Sequence, residues 1–320
     1  MEQQSKIIRD LKNFGYKEYM LKRYLKLFGE DQIISFLEGN EQKLKPAIRV
    51  NSLRISKDAL YKRLKSKGFE LKQVPVVSNA FYVTKAPFSI GATTEYLLGY
   101  YYIQNVASMI PSLVLNPTSQ DIVVDMCAAP GGKATHLAQI MNNEGNLILI
   151  ERNQKRIASL ETNLLRMGIT NSIIINDDAV NLPKIKIKAD RILLDAPCTG
   201  EGLIRQDPSR KKSKQMRDIN KMSIIQKNLL ASGLNSLKPG GNLLYSTCSI
   251  APEENEIVIN EVLNSLSGYE IGQLQHAYGE NGLTKVYGKS LRDDLKYSQR
   301  LYPHLHDTIG FYLCLIKKLQ

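Results

Sequence analysis

From about residue 120 onward, short apolar runs alternate with stretches of helical spacing, and this alternation restricts the fold more than any other feature of the chain. The runs are Asp121-Ile122-Val123-Val124-Asp125, Leu147-Ile148-Leu149-Ile150, Ser172-Ile173-Ile174-Ile175, Arg191-Ile192-Leu193-Leu194 and Asn242-Leu243-Leu244-Tyr245. Helix-like stretches, Ala134 to Met141 and Gln154 to Met167, separate the first three. Unbroken apolar runs suit strands covered on both faces. Strands of this kind alternating with helices predict an α/β fold with a doubly wound parallel sheet. Such sheets bind ligands beyond the carboxyl ends of their strands, so the residues just past each run deserve the closest reading.

The preceding part of the chain reads differently. Residues 1–40 have helical spacing through Leu11, Phe14, Tyr19, Leu21, Tyr24 and Leu25. Residues 46–90 combine two strand-like runs, Ile48-Arg49-Val50 and Phe81-Tyr82-Val83, with a basic helix-like run from Lys57 to Gly68. That mixture predicts a small α+β unit. Residues 91–116 read as helical and lead into the larger section.

The formal net charge is +12, with clusters such as Tyr61-Lys62-Arg63-Leu64-Lys65-Ser66-Lys67 and Arg210-Lys211-Lys212-Ser213-Lys214. Clustered cations attract phosphates and release counterions, which points to a polyanionic partner. A proteome that is basic throughout would give the same number, and charge does not separate RNA from DNA or an acidic membrane. The N-terminus lacks the apolar core of a signal peptide, and no apolar stretch is long enough to span a bilayer; the default expectation is the cytoplasm. The four cysteines, Cys127, Cys198, Cys248 and Cys314, are widely spaced, so neither a zinc site nor a disulfide framework is expected.

The first strand runs into Cys127-Ala128-Ala129-Pro130-Gly131-Gly132-Lys133. Glycines there permit close backbone approach to a ligand, and a plain strand-to-helix turn needs them equally. The spacing fits neither a P-loop nor GxGxxG. Glu151 ends the second strand, where an acid can accept hydrogen bonds from a ribose diol. Asp177 and Asp178 follow the third strand as candidates for an adenine amino group or for a helix cap. The fourth strand ends in Asp195-Ala196-Pro197-Cys198-Thr199-Gly200 and the fifth in Tyr245-Ser246-Thr247-Cys248-Ser249. Two cysteines at the ligand edge of one sheet are hard to explain by packing, because core cysteines sit inside strands.

Taken in order, Cys-Ala-Ala-Pro-Gly-Gly-Lys, Asp-Ala-Pro-Cys-Thr-Gly and Ser-Thr-Cys-Ser resemble the NOL1/NOP2/Sun family of RNA 5-methylcytosine methyltransferases, and its archaeal tRNA branch in particular. Arg49-Val50-Asn51-Ser52-Leu53 resembles that family's N-terminal signature, and Pro303-His304 with Gly310-Phe311-Tyr312 its C-terminal one. The resemblance implies a Rossmann-like class I S-adenosyl-L-methionine-dependent methyltransferase sheet over residues 111–320. Residues 1–110 would be a helical plus small α+β, RRM-like RNA-binding region. It implies S-adenosyl-L-methionine as cofactor, with Cys127, Ala128, Ala129, Pro130, Gly131, Gly132 and Lys133 around its methionine portion. Glu151 would hold the ribose, and Arg156, Asp178 and Asp195 would be further contacts; Asp178 aligns with the third acidic position better than Asp177 does. Arg156 reads equally as a solvated helix charge. Departures occur at Gln104-Asn105-Val106-Ala107-Ser108 and Arg205-Gln206-Asp207-Pro208, where the family more often has an acidic-Ser-Ser segment and a paired arginine.

Cytosine C5 is a poor nucleophile. A thiolate added at C6 moves electron density to C5, and cysteine is suited to that covalent step. A positioned acid at N3 eases the attack. Chemistry alone does not choose between the two cysteines. The resemblance assigns attack to Cys248, product release to Cys198, and base binding with the N3 proton to Asp195, with Lys133 touching cofactor and substrate. Tyr96, Tyr100, Tyr101 and Tyr102 are candidates for base stacking or for plain packing. His304 and His306 are candidates for the base pocket, His304 also for packing, and Cys314 reads as an inert core residue. The expected partner is RNA, tRNA first and rRNA second, with no membrane and no metal, and the expected form is a monomer. A silent RNA-binding protein and a DNA methyltransferase are the competing classes.

Overall fold

The computed structural model describes residues 2–320, with side chains from residue 7 onward. Helices α1 (Glu2–Leu11) and α2 (Glu18–Glu41) lead into a βαββαβ unit. This runs β1 (Ala47–Val50), α3 (Lys57–Ser66), β2 (Glu70–Gln73), β3 (Ala80–Lys85), α4 (Thr94–Leu97) and β4 (Tyr101–Ile103). The strands lie in the order β2-β3-β1-β4, every pair antiparallel, which is the ferredoxin-like arrangement shared by RRM folds. The helix expected across 91–116 is broken: β4 interrupts it, pairing Tyr101 with Val50, and α5 (Val106–Leu115) starts only afterwards. Aromatic and β-branched types favour a strand wherever a partner strand is present, and β1 supplies one.

The two faces of this small sheet have different partners. Ile48, Val50, Phe81, Val83 and Tyr101 pack on Leu60 and Leu64 of α3. Ala47 and Ala80 on the other face, with Tyr82, meet Val106 and Met109 of α5. Arg49 shares that face and reaches into the larger unit. The sheet face that an RRM offers to stacked bases is therefore covered here by the chain's own α5.

The second sheet is built from β5 (Ile122–Asp125), β6 (Asn146–Ile150), β7 (Ser172–Ile175), β8 (Ala189–Asp195) and β9 (Leu237–Thr247), all parallel. Between them lie α6 (Gly132–Ile140), α7 (Gln154–Met167), α8 (Arg210–Ser213) and α9 (Met216–Ser236). Their apolar runs are explained by two-sided burial. Val124, Ile148, Ile150, Ile192, Leu194, Leu243 and Tyr245 point to one core with Leu229, Leu230 and Leu234 of α9. The alternate residues Val123, Leu147, Leu149, Leu193 and Leu244 point to a second core with α5, α6 and α7.

Beyond β9 the sheet ceases to be parallel. After α10 (Glu256–Ser265) come β10 (Tyr269–Gly272), β11 (Glu280–Asn281), the hairpin β12 (Lys285–Val286) and β13 (Lys289–Ser290), β14 (Gln299–Leu301), α11 (Pro303–His306) and β15 (Phe311–Lys318). β15 pairs antiparallel with β9 and carries β14 and β10, giving the order β11-β14-β15-β9-β8-β5-β6-β7. The doubly wound expectation thus holds for five strands, and an antiparallel extension completes the sheet. An apolar run is the same in either direction, so strand polarity was invisible in the sequence. Among the described residues, no helix is long and apolar enough to cross a membrane.

Candidate active site

The ends of β5, β6, β8 and β9 open onto one cavity of about 300 Å³. Cys127, Ala129, Glu151, Arg156, Asp178, Asp195, Cys198 and Cys248 all line it, so residues spread over some 120 positions converge on one space. A smaller cavity of about 170 Å³ adjoins it across Cys127, Ala129 and Asp195 and is bounded by Ala128, Pro130, Gly132, Lys133 and Tyr102.

The loop from Cys127 to Lys133 is fixed from several sides. Ala128 N donates to Ile150 O at 3.0 Å, and Gly131 N to Ala128 O at 2.8 Å. Gly131 has φ +104°, a conformation that L side chains rarely adopt. A Cβ there would also press Leu160 Cδ1 at 3.1 Å. Helix α7 holds the loop carbonyls: Arg156 donates to Ala129 O, and Asn163 Nδ2 to Pro130 O at 2.9 Å. From the other side, buried Arg49 donates to Gly132 O at 2.7 Å, Gln104 Oε1 at 2.6 Å and Thr135 Oγ1 at 2.8 Å. Burial lowers the Arg49 pKa to about 9, Tyr102 partly countering this.

Asp125, beneath the loop, accepts from Cys127 N at 3.2 Å. Burial pushes its carboxyl up to about 7; the Cys127 N–H pulls the other way, and the Asp195 charge adds to the rise. The Cys127 thiol is raised by burial and by the carboxylates of Asp125, Asp195 and Glu151.

Glu151 is buried, with Oε1 accepting from Asn153 N at 2.8 Å. Its Oε2 lies 3.2 Å from Arg156 Nη1, yet no donor is aligned on it. A buried carboxylate oxygen without a hydrogen bond costs free energy and leaves an acceptor open to a ligand hydroxyl. Asp178 lines the cavity, accepts from Val180 N at 3.1 Å and lies 3.6 Å from Arg152 Nη1, so it serves as a cap and faces the cavity at once. Asp177 turns to Asn181 Nδ2 at 3.0 Å and is not a cavity residue.

At the other end, Lys133 Nζ donates to Asp195 Oδ2 at 2.6 Å, and Ser246 Oγ donates to Asp195 Oδ1 at 2.9 Å. Burial alone would lower the Lys133 pKa; the Asp195 carboxylate outweighs it, and the net shift is upward. The sulfurs of Cys198 and Cys248 are 3.2 Å apart. The hydrogen bond to Cys248, burial and the Cys248 charge together drive the Cys198 thiol well above its ordinary range.

Several candidates fall elsewhere. His304 packs edge-on against Phe28 and Phe36, and His306 Nδ1 accepts from Tyr302 N; neither lines the cavity. Tyr101 is buried and bonded to Thr93 and Ile90 O, which is a packing role; Tyr102 does border the smaller cavity, beneath Arg49 and Arg166. Cys314 is buried inside β15. Two residues were not expected at this site, Arg210 having been read only as part of a basic cluster. Arg210 lines the cavity and donates to Thr199 O at 3.0 Å. Glu254 binds the loops of both cysteines; its only sequence signal was an acidic run, Pro252-Glu253-Glu254, directly after the Cys248 turn. Among the described residues, no group of three or more His, Cys, Asp or Glu is placed to hold a metal ion.

Two family patterns match the chain: "16S rRNA methyltransferase RsmB/F" over residues 112–317 and "N-terminal domain of 16S rRNA methyltransferase RsmF" over residues 17–106. The chain belongs to the RsmB/F (NOL1/NOP2/Sun) family. It is 36% identical over 99% of its length to a mouse 28S rRNA (cytosine-C(5))-methyltransferase, of which it covers 40%. It is 33% identical over 89% of its length to the ribosomal RNA small subunit methyltransferase F of Vibrio campbellii, covering 59% of that protein. The chain thus spans about half the length of the curated relatives it matches. A methyltransferase homolog protein from Pyrococcus horikoshii shares the fold at TM-score 0.89 and 41% identity, covering 98% of this chain and 99% of that one. NSun6 from the same organism, solved with SFG, gives TM-score 0.84 at 25% identity, covering 93% and 97%. The fold is the class I methyltransferase fold with an N-terminal domain, and the cofactor of this family is S-adenosyl-L-methionine. The open Oε2 of Glu151, facing a cavity beside a loop with a left-handed glycine, fits the ribose of that cofactor.

Proposed function

We propose that the chain methylates cytosine C5 in RNA, with Cys248 as the attacking thiol. One observation carries this reading: two sulfurs 3.2 Å apart share a cavity with Asp195, which Lys133 holds from the adjoining smaller cavity, and with an acid suited to a ribose. When bound, S-adenosyl-L-methionine supplies an electrophilic methyl group. Glu151 would accept from its ribose hydroxyls, Asp178 and Arg156 would flank it, and residues 127–133 would surround its methionine portion.

The Thr247-Cys248-Ser249 motif, which resembles the family's attacking cysteine, supports attack by Cys248, and the Cys198 sulfur 3.2 Å away is placed to assist release. Lys133, paired with Asp195, places a positive charge that favours a nearby thiolate. Asp195, held by Lys133 and Ser246, binds the pyrimidine edge and, as the free acid, gives its proton to N3 as the C6–S bond forms, taking it back when the adduct breaks down. C5 then carries the electron density. After methylation a water molecule takes the C5 proton, the C5–H electron pair restores the C5–C6 double bond, and the Cys248 sulfur leaves as a thiolate that takes a proton from the Cys198 thiol 3.2 Å away. The target base must be unpaired or turned out of its helix to reach so enclosed a thiol.

Residues 111–320 would do this chemistry and residues 1–110 would engage RNA. Because the small sheet's open face is covered by α5, the basic side of α3 (Lys62, Arg63 and Lys65) is the better phosphate-binding surface. For the finer substrate, tRNA is the reading from sequence. The relatives named above carry rRNA names, which favours rRNA as the second reading. The test is covalent trapping on 5-azacytidine-substituted tRNA, rRNA and DNA, with wild type and Cys248→Ala. An adduct on RNA that vanishes in the variant is expected. An adduct that survives it, or forms only on DNA, refutes the proposal.

A further inference from the structure

The loops that carry the two cysteines share one carboxylate. Glu254 closes the short turn Pro252–Glu254 and is wholly buried. Its Oε1 accepts from Thr199 N at 2.8 Å and from Gln226 Nε2 at 3.2 Å. Its Oε2 accepts from Thr199 Oγ1 at 2.6 Å and from Ser249 Oγ at 2.5 Å. Thr199 directly follows Cys198, and Ser249 directly follows Cys248. Next to it, Asn255 brackets Cys248, accepting from Thr247 Oγ1 at 2.6 Å and donating to Ser249 O at 2.9 Å.

Burial raises the Glu254 pKa, and the hydrogen bonds from Ser249 and Thr199 draw it back. Its hydrogen-bond donors among the described residues, Thr199, Gln226 and Ser249, are all neutral. A buried carboxylate held only by neutral donors is a poor way to gain stability, since an apolar side chain of similar volume would cost less. What it supplies is geometry: two acceptor oxygens a fixed distance apart, each bonded to a different loop.

We propose that Glu254 is a positioning residue that holds the Cys198 and Cys248 loops in register, so that both sulfurs reach one bound base. This rests on the reading of the two cysteines given above. It does not require Glu254 to touch substrate or cofactor.

The test uses the full chain with Glu254→Ala and Glu254→Gln. In a glutathione buffer, the two thiols and one oxidised glutathione exchange to a Cys198–Cys248 disulfide and two reduced glutathiones. Peptide mapping by mass spectrometry locates that disulfide, and its equilibrium gives the effective concentration of one sulfur at the other without RNA or cofactor. Glu254→Ala is expected to lower this concentration about tenfold or more, because the two loops lose their common anchor. Glu254→Gln is expected to stay within about threefold, since its carbonyl still accepts from Thr199 N and both hydroxyls can turn to accept from its amide. S-adenosylhomocysteine affinity, read by calorimetry, is expected to stay within about twofold for both, because Glu151 and its loop are untouched. If Glu254→Ala does not fold, Thr199→Val, which keeps the backbone bond, is expected to lower the concentration about threefold.

A wild-type effective concentration in Glu254→Ala overturns the proposal. A cofactor affinity that falls in step with the thiol equilibrium overturns it too, by reducing Glu254 to general structural support. Should the wild type never methylate RNA while the thiol equilibrium shifts as expected, the cysteine chemistry fails and the positioning role stands.

Discussion

Gly202 lies between the Cys248 carbonyl and the strand that follows Gly310. Its N donates to Cys248 O at 2.9 Å, and its O accepts from Gly310 N at 2.9 Å. A Cβ at this position would sit 2.2 Å from Gly310 O and 2.8 Å from Cys248 O. An unstrained carbon–oxygen contact is about 3.3 Å. Gly202→Ala must therefore open the backbone by about 1 Å toward Gly310 and by about half that toward Cys248. Overpacking of this kind costs about 1–3 kcal/mol, which at roughly 2 °C per kcal/mol lowers the melting temperature by a few degrees. The chemistry is expected to slow as well, because about 1 Å of misplacement can cost about a hundredfold in rate. The assay is single-turnover methylation of RNA, alongside thermal melting and S-adenosylhomocysteine calorimetry. Because only about half of that displacement falls on Cys248, the rate should fall about tenfold, while cofactor affinity holds, since Glu151 follows β6. Gly240→Ala is the control: its φ of +74° also resists a side chain, but no atom lies within 4 Å, so it should lose stability and keep its rate. A Gly202→Ala enzyme within about threefold of wild-type rate would refute the reasoning that the Cys248 backbone is set by this contact.

Asp125 should leave a signature in the apo protein's stability. Its folded pKa of about 7 lies above the ordinary value, so the folded state binds the proton more tightly and stability declines as pH rises from about 4 to about 7. Asp125→Asn should flatten that decline, gaining up to a few kcal/mol relative to wild type at pH 8 and nothing at pH 3; denaturant titrations at both pH values decide it, and an identical slope would count against the buried acid. Glu151→Gln should weaken S-adenosylhomocysteine binding by about tenfold to a hundredfold, as expected for a hydrogen bond to a charged group, with no loss of apo melting temperature; unchanged calorimetric affinity would remove Glu151 from the ribose. Arg49→Lys should cost about 2–3 kcal/mol in denaturant unfolding, because an ammonium cannot span Gln104, Gly132 and Thr135 at once; a loss below about 0.5 kcal/mol would mean the clamp on the cofactor loop is dispensable.

Much of the site was legible because its residues follow strands whose apolar runs are conspicuous. Glu151 after β6, Asp195 at the end of β8 and Cys248 after β9 could be placed at one edge of a sheet without coordinates. Glu254 and Arg210 could not: the turns that bring them to the cysteine loops form only in the fold, and a glutamate in an acidic run looks like a solvated one until its donors are seen. His306 failed for the converse reason, since a histidine near a family signature carries no information on which way its ring turns.

Local pattern decided what is local. Five apolar runs of strand length, each followed by a turn or helix, were enough for a two-sided sheet, and the motifs after them were enough for the family. Only the folded chain decided direction and distance. The polarity of β15, the strand at β4, the covering of the small sheet by α5 and the 3.2 Å between two sulfurs all arise from contacts between segments far apart along the chain. Side-chain type constrains which environment a residue will occupy, but the partner that provides that environment is chosen by packing, and packing is a property of the whole chain.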